Sequence, residues 1–250
     1  MSLLFAVLRR LRGLKRATMF FGAGAVMLTL SACSDTGPVY LTAEALQAWV
    51  RTPGAVDPRS DRAPAVSEDA VRFALSRGQR RSMLRTGNEW LVGQSYLFGF
   101  DVRADRKQLG NRPVVISRLM RKSDPTRVLA EVRLDARNGV TVMGRSCIPA
   151  NALGTWHQVE MRIRLADDDT GFFEVFCDRK PVWAQSELRT TQPPICRRSA
   201  GCNQPVAKPV AFEWQFGLLA VGRATRAVQV EMQRVFYHRL FVIPNRVGRL

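Results

Sequence analysis

Apolar and polar residues alternate one for one along much of this chain. The clearest stretch is 155–182, where Val159, Met161 and Ile163 share one parity while Gln158, Glu160 and Arg162 share the other. Further on, Phe173, Val175 and Cys177 oppose Phe172, Glu174 and Phe176. A period of two puts successive side chains on opposite faces, so each run predicts a strand with one buried face. Residues 167–171, Asp-Asp-Asp-Thr-Gly, supply the reversal between them, because short side chains that bond their own backbone and a glycine without Cβ suit a turn. Residues 178–181 end the second run, since Pro181 has no N–H for a ladder.

The same signals recur from Val71 onward. Residues 79–85 and 90–102 read as strands, the second with Tyr96, Phe98 and Phe100 alternating with Ser95, Leu97, Gly99 and Asp101. The β-branched run 113–120 predicts a buried central strand, residues 128–134 alternate, and Asn138-Gly139 marks a hairpin leading into 140–143. A proline-rich loop is expected over 185–210, and closing strands over 212–219 and 227–243. Ahead of these, residues 42–50 combine a capping threonine with good helix formers, predicting one short helix that docks on the strands. The pattern as a whole specifies an all-β protein, an antiparallel β-sandwich.

Charge narrows the partners. The chain carries a formal charge of +17; outside residues 1–32 it still has 33 basic against 21 acidic residues. Such a surface concentrates anions: acidic polysaccharide, lipid headgroups or nucleic acid. Nucleic acid is disfavoured because the basic residues are spread along the chain without interleaved aromatics. Residues 1–32 carry Arg9, Arg10, Arg12, Lys15 and Arg16 ahead of an uncharged apolar run, the plan of an export signal. Leu30-Ser31-Ala32-Cys33 resembles the bacterial lipobox, which implies lipidation at Cys33, a lipid-anchored tether over 33–69 and a sandwich domain over 70–250. Ser34 follows the cysteine, so by the same resemblance the outer membrane is the expected destination.

Four cysteines remain, an even number in an oxidising compartment, and two disulfides are the default among three possible connectivities. Cys196 and Cys202 bracket a five-residue loop that can close on itself, which leaves Cys147 for Cys177. No histidine lies near them, so neither a metal site nor a cofactor is expected.

Trp156, the two strands of 155–182, Gly171-Phe172 and the polar turn at 178–180 resemble the corresponding stretch of jelly-roll polysaccharide lyases of the heparin lyase I, glucuronan lyase and alginate lyase type. The resemblance implies a concanavalin A-like jelly roll whose concave sheet carries three motifs. The first, Arg-Ser/Thr-Glu-Leu-Arg, holds the substrate carboxylate; here it reads Arg81-Ser82-Met83-Leu84-Arg85, with both arginines on one face and the acid replaced. The second, Gln-x-His, has Ser117-Arg118-Leu119-Met120 as its counterpart, lacking both amide and base. The third, Tyr-Phe-Lys-x-Gly-Ile-Tyr, becomes Glu213-Trp214-Gln215-Phe216-Gly217-Leu218-Leu219, keeping the glycine and losing the proton-transferring tyrosine.

β-Elimination needs a base at C5 and a proton donor for the leaving oxygen, which Met120 and Leu219 cannot supply. His157, His238, Tyr96 and Tyr237 are the remaining candidates by type, with His157 sharing the parity of the apolar Val159 and Met161. Three readings follow. Arg81, Arg85, Arg118 and Gln215 bind an anionic envelope polysaccharide without cleaving it; or a rearranged site retains lyase activity; or the chain is a structural envelope lipoprotein whose basic exterior meets lipid or acidic protein. Whichever holds, Cys33→Ser is expected to abolish metabolic labelling by fatty acid and to move the protein out of the membrane fraction; unchanged labelling and fractionation would refute the lipobox.

Overall fold

Runs that are apolar or aromatic on both faces take central places in the sheets, and runs with a polar face lie where that face meets solvent. The computed structural model describes residues 43–67, 70–86, 90–122, 124–191 and 211–240. Cys33 and the export signal lie outside the described residues, as does the Cys196/Cys202 pair.

A helix, α1 (Ala43–Arg51), precedes fourteen described strands. In chain order they are β1 (Ala65–Val66), β2 (Val71–Leu75), β3 (Arg81–Arg85), β4 (Trp90–Leu91), β5 (Ser95–Arg103), β6 (Val114–Arg121) and β7 (Asp124–Asp135). There follow β8 (Gly139–Val142), β9 (Arg145–Ile148), β10 (His157–Arg164), β11 (Gly171–Cys177), β12 (Lys180–Leu188), β13 (Ala211–Ala220) and β14 (Val228–Leu240). Every strand pairing among them is antiparallel. One sheet runs β1-β2-β14-β5-β10-β11-β12; the other runs β3-β13-β6-β7-β8-β9, with β4 added beside β13.

The alternation of 155–182 forms the expected hairpin, β10–β11, with Met161 opposite Val175 and Ile163 opposite Phe173. The run 113–120 is central in the second sheet, and Asn138-Gly139 turns β7 into β8 with Gly139 at φ +75°. Two boundaries differ from expectation. Strand β12 continues through Leu188, so the loop expected from Gln185 starts later; Asp178 and Arg179, both at positive φ, turn the chain directly into it. Because β12 is a sheet edge, Pro181 is tolerated there.

The second difference concerns the expected tether. α1 docks on the strands as expected, with Leu46 buried and the Trp49 ring 5.4 Å from Phe216, but the residues that follow it pack as well. Residues 55–61 then run along the outer edge of β3. Asp57 N donates to Met83 O (3.0 Å), Asp61 N to Arg81 O (2.8 Å) and Arg85 N to Ala55 O (2.8 Å).

Between the sheets the core is aromatic. Trp90 stacks on Tyr96 at 4.5 Å, and Trp214 contacts Phe98 at 5.3 Å and Phe216 at 5.0 Å. The buried Trp214 indole donates to Ser117 Oγ (2.8 Å), so the ring is buried without an orphan N–H. A disulfide joins Cys147 of β9 to Cys177 of β11 and thus ties one sheet to the other. Closing a loop of that length stabilises a fold by about 3–4 kcal/mol.

The edge segment is fastened by charge. Asp57, with no exposed side-chain surface, accepts from Arg81 Nη1 (2.5 Å) and from Arg59 N and Nε (3.0 and 3.1 Å). Burial opposes its ionisation, but the bonds from Arg59 and the bond and charge of Arg81 outweigh burial, and the carboxyl titrates below the usual range. A depressed carboxyl contributes stability above its unfolded pKa of about 3.9, lost as pH falls through the folded value. Asp57→Asn is therefore expected to lower stability by about 3 kcal/mol in urea titrations at pH 7, with the deficit shrinking below about pH 4; a variant with unchanged midpoint would show that the pair fastens nothing.

Candidate anion-binding site

The three motif-like stretches fall on three adjacent strands, β3, β13 and β6. Strand pairing puts Arg85 opposite Gln215, Gln215 opposite Arg118, and Arg118 opposite Glu131. These four side chains form one row across the outer face of the second sheet. Arg118 donates through Nε and Nη2 to Gln215 Oε1 (3.1 and 2.8 Å), and Gln215 Nε2 donates to Glu213 Oε1 (2.5 Å). Glu213 Oε2 lies 4.0 Å from Arg85 Nη1, and Arg85 Nε donates to Gly54 O (2.7 Å).

The row is deeply set. Gln215 is fully buried, and Arg118, Glu213 and Arg81 are each less than a tenth exposed, whereas about a third of the Arg85 side chain is open. Arg118 has no carboxylate partner among the described residues. Burial lowers its pKa to about 10, and the nearby charges of Arg81 and Arg59 push the same way against the weaker pull of Asp57 and Glu131, so it stays charged at neutral pH without an ion pair of its own among the described residues.

Arg81 shares the face, as its parity requires, but its guanidinium is spent on Asp57 rather than turned toward a ligand. Gly217 sits at φ +135°, and a Cβ there would come within 2.4 Å of Ser82 O and 2.8 Å of the Phe73 ring. That glycine is thus retained for backbone geometry. Met83, Val115 and Leu219 form a small apolar cluster beside the row, filling positions where the motifs carry an acid and a tyrosine.

The four acid–base candidates are all in the other sheet. Tyr96 is in the core, its hydroxyl accepting from Leu91 N (2.8 Å), while Tyr237 and His238 are on β14. His157 opens β10: Nδ1 lies 2.8 Å from Asp178 Oδ2, and Nε2 lies 2.8 Å from Ala152 O and 3.0 Å from Thr155 Oγ1. No strand of the second sheet contains histidine, tyrosine or lysine. Asp57, Arg59, Glu131 and Glu213 join the site beyond those anticipated. Glu213 was signalled by sharing the parity of Gln215; Asp57 carried no signal, because nothing local marks a tether residue as the partner of a strand arginine.

The two antiparallel sheets define a jelly-roll sandwich with a polysaccharide lyase-like fold. Among solved structures, the endo-β-1,4-glucuronan lyase of the fungus Trichoderma reesei is similar in fold, with TM-score 0.54 at 16% identity over 76% of this chain and 89% of that one. A double mutant of the alginate lyase Aly36B in complex with an alginate trisaccharide gives TM-score 0.54 at 12% identity over 82% of this chain and 94% of its own. The alginate lyase from Corynebacterium sp. gives 0.50 at 8% identity over 72% and 82%. No protein-family model and no curated protein matches the chain.

His157 has oxygen atoms facing both ring nitrogens, an arrangement that only the doubly protonated ring satisfies as a donor. Burial works against its charge, but Asp178 and the Ala152 carbonyl prevail and raise its pKa above 6.5. A raised pKa gives stability that is complete below the unfolded pKa and fades as pH climbs through the folded one. Thermal melts are expected to show a small loss from pH 6 to 8.5, under about 1 kcal/mol since Asp178 is half exposed, and His157→Gln should flatten it; an equal slope in the variant would assign the dependence elsewhere.

Proposed function

We propose that this protein is a lipid-anchored envelope protein that binds an acidic polysaccharide on the outer face of its second sheet and does not cleave it. The supporting observation is Arg118: a buried guanidinium, pressed by neighbouring cations, bonded only to an amide among the described residues. A buried charge without a counter-charge is costly, and a uronate carboxylate or sulfate would relieve that cost through charge-assisted bonds to the planar fork. Arg85, partly open on the same row, offers a second donor to the same chain. The alginate trisaccharide held by a lyase of this fold supports an acidic polysaccharide as the ligand class.

Lyase action is disfavoured by chemistry rather than by shape. Glu213 and Glu131 are the carboxylates of the row, and each already accepts from a neighbour, Glu213 from Gln215 and Glu131 from Arg133. Among the described residues, no group beside them has the character of a proton donor to a leaving oxygen. The anchor follows from the lipobox and the export signal ahead of it.

Calorimetric titration with alginate, glucuronan and heparin is expected to show Arg118→Gln losing tenfold or more in affinity, since one charge-assisted bond contributes about 1.5–3 kcal/mol. Arg85→Ala should lose less, because its side chain is shared with water. Ultraviolet absorbance of 4,5-unsaturated uronate should stay at baseline throughout. Growth of that absorbance would establish a lyase, and undiminished binding by a folded Arg118→Gln protein would remove the row from the account.

A further inference from the structure

A second cationic cleft opens at one end of the sandwich, away from the row. It has a volume of about 900 Å³ and is rimmed by Arg106, Lys107, Arg137 and Arg226, with Asp105 as its one carboxylate. None of the four cations has an acidic partner among the described residues. Asp105 Oδ1 accepts instead from the Lys107 backbone N (2.9 Å), within its own turn. Four cations against one carboxylate leave the cleft with a large local excess of positive charge.

Two of the arginines are held in place by the backbone of other loops. Arg106 Nε donates to Ala136 O (3.0 Å), and Arg226 Nη2 donates to Lys107 O (2.6 Å). Three chain segments, those after β5, after β7 and before β14, are thereby locked around one opening. The entropy of ordering these side chains is already met in the free protein, which favours binding. Leu109, Ala136 and Leu153 supply an apolar floor. An apolar floor within a cationic rim fits a sugar ring that carries carboxylate or sulfate, and the volume suits more than one such ring.

The cleft and the row sit at separate places on the same sheet system. Along β13, Gln215 of the row and Ala220 at the strand end are five residues apart, about 17 Å, and the cleft lies beyond that end. α1 packs toward the opposite side, near the start of β2, where Gln47 Nε2 donates to Ser67 O (3.1 Å); Val228, next to the cleft, pairs with Leu75 at the other end of β2. The cleft therefore faces away from the side on which the N-terminal segment joins the sandwich.

We infer that this end cleft is a second anion subsite, which engages another stretch of the same acidic polysaccharide bound at the row. The ligand class rests on the function proposed above, but the site does not depend on Arg118. Binding at two places on one chain raises avidity without any new contact, in proportion to the effective concentration the first site creates. Polymer should consequently bind far more tightly than short oligosaccharides.

The experiment measures affinity of the full chain for alginate tetrasaccharide and for polymeric alginate, at fixed salt. The triple variant Arg106→Ala/Arg137→Ala/Arg226→Ala changes exposed side chains only and is expected to lose at least about tenfold for polymer, with its preference for polymer over tetrasaccharide collapsing. A control triple of equal charge, Arg51→Ala/Arg62→Ala/Arg189→Ala, should keep that preference. Equal losses in the two triples would reduce the effect to net charge and overturn the subsite, as would an unchanged polymer affinity. Polymer binding that survives Arg118→Gln but fails in the cleft triple would uphold the cleft and refute the row; the reverse pattern would uphold the row alone. Cleft-dependent pelleting with phosphatidylglycerol vesicles, without an effect on alginate, would reassign the site to lipid and overturn the proposal.

Discussion

β13 must satisfy two surfaces at once, and the rest of the molecule is arranged around that requirement. Its inward residues Phe212, Trp214, Phe216 and Leu218 fill the inter-sheet core, while its outward residues Glu213 and Gln215 are buried too. A strand buried on both faces cannot leave its polar side chains unpaired, because each orphan group would cost about 1–3 kcal/mol. Gln215 resolves this by accepting from Arg118 on β6 and donating to Glu213 on its own strand. The buried polar row is thus a condition of the fold as much as a feature of a site. Trp214 shows the same rule on the inner face, where its indole N–H finds Ser117.

How much of this was legible varies with the range of the interaction. Strand existence was written in local parity, and so was the β10–β11 hairpin, with its turn over 167–171; its register is supplied by the structure. Sheet order was not written locally: nothing in the alternation says that β13 lies between β3 and β6. The resemblance of three short motifs implied one shared sheet but no order within it, which the pairing of Arg85 with Gln215 and of Gln215 with Arg118 supplies. Asp57 lay beyond either kind of signal. Its role arises from an edge pairing 24 residues distant in sequence, in a stretch whose composition reads as a tether. For the same reason the sequence overstated Arg81: parity correctly assigns its face, but parity is silent on which partner occupies its guanidinium.

Beside the row the outer face turns apolar. Leu219 and Met83 stand where the motifs this chain resembles have a tyrosine and an acid, and with Val115 they form a small apolar cluster. Arg118 belongs to the polar network beside that cluster: it supplies the bonds that Gln215 accepts, while its own charge has no ion pair among the described residues.

The fastening of residues 55–61 along β3 has a consequence for how the protein behaves in a crowd. A sheet edge with free N–H and C=O groups is a template on which another chain can add, the first step to aggregation. Here β3 is covered along its outer side by its own preceding segment, and β9 at the far end of the same sheet is bound covalently to the other sheet. In the first sheet one terminal strand, β1, is only two residues long, and the other, β12, carries Pro181 among mostly exposed residues. Releasing Asp57 would uncover the backbone of β3, so acid conditions that neutralise this carboxyl would turn a closed border into an adhesive one.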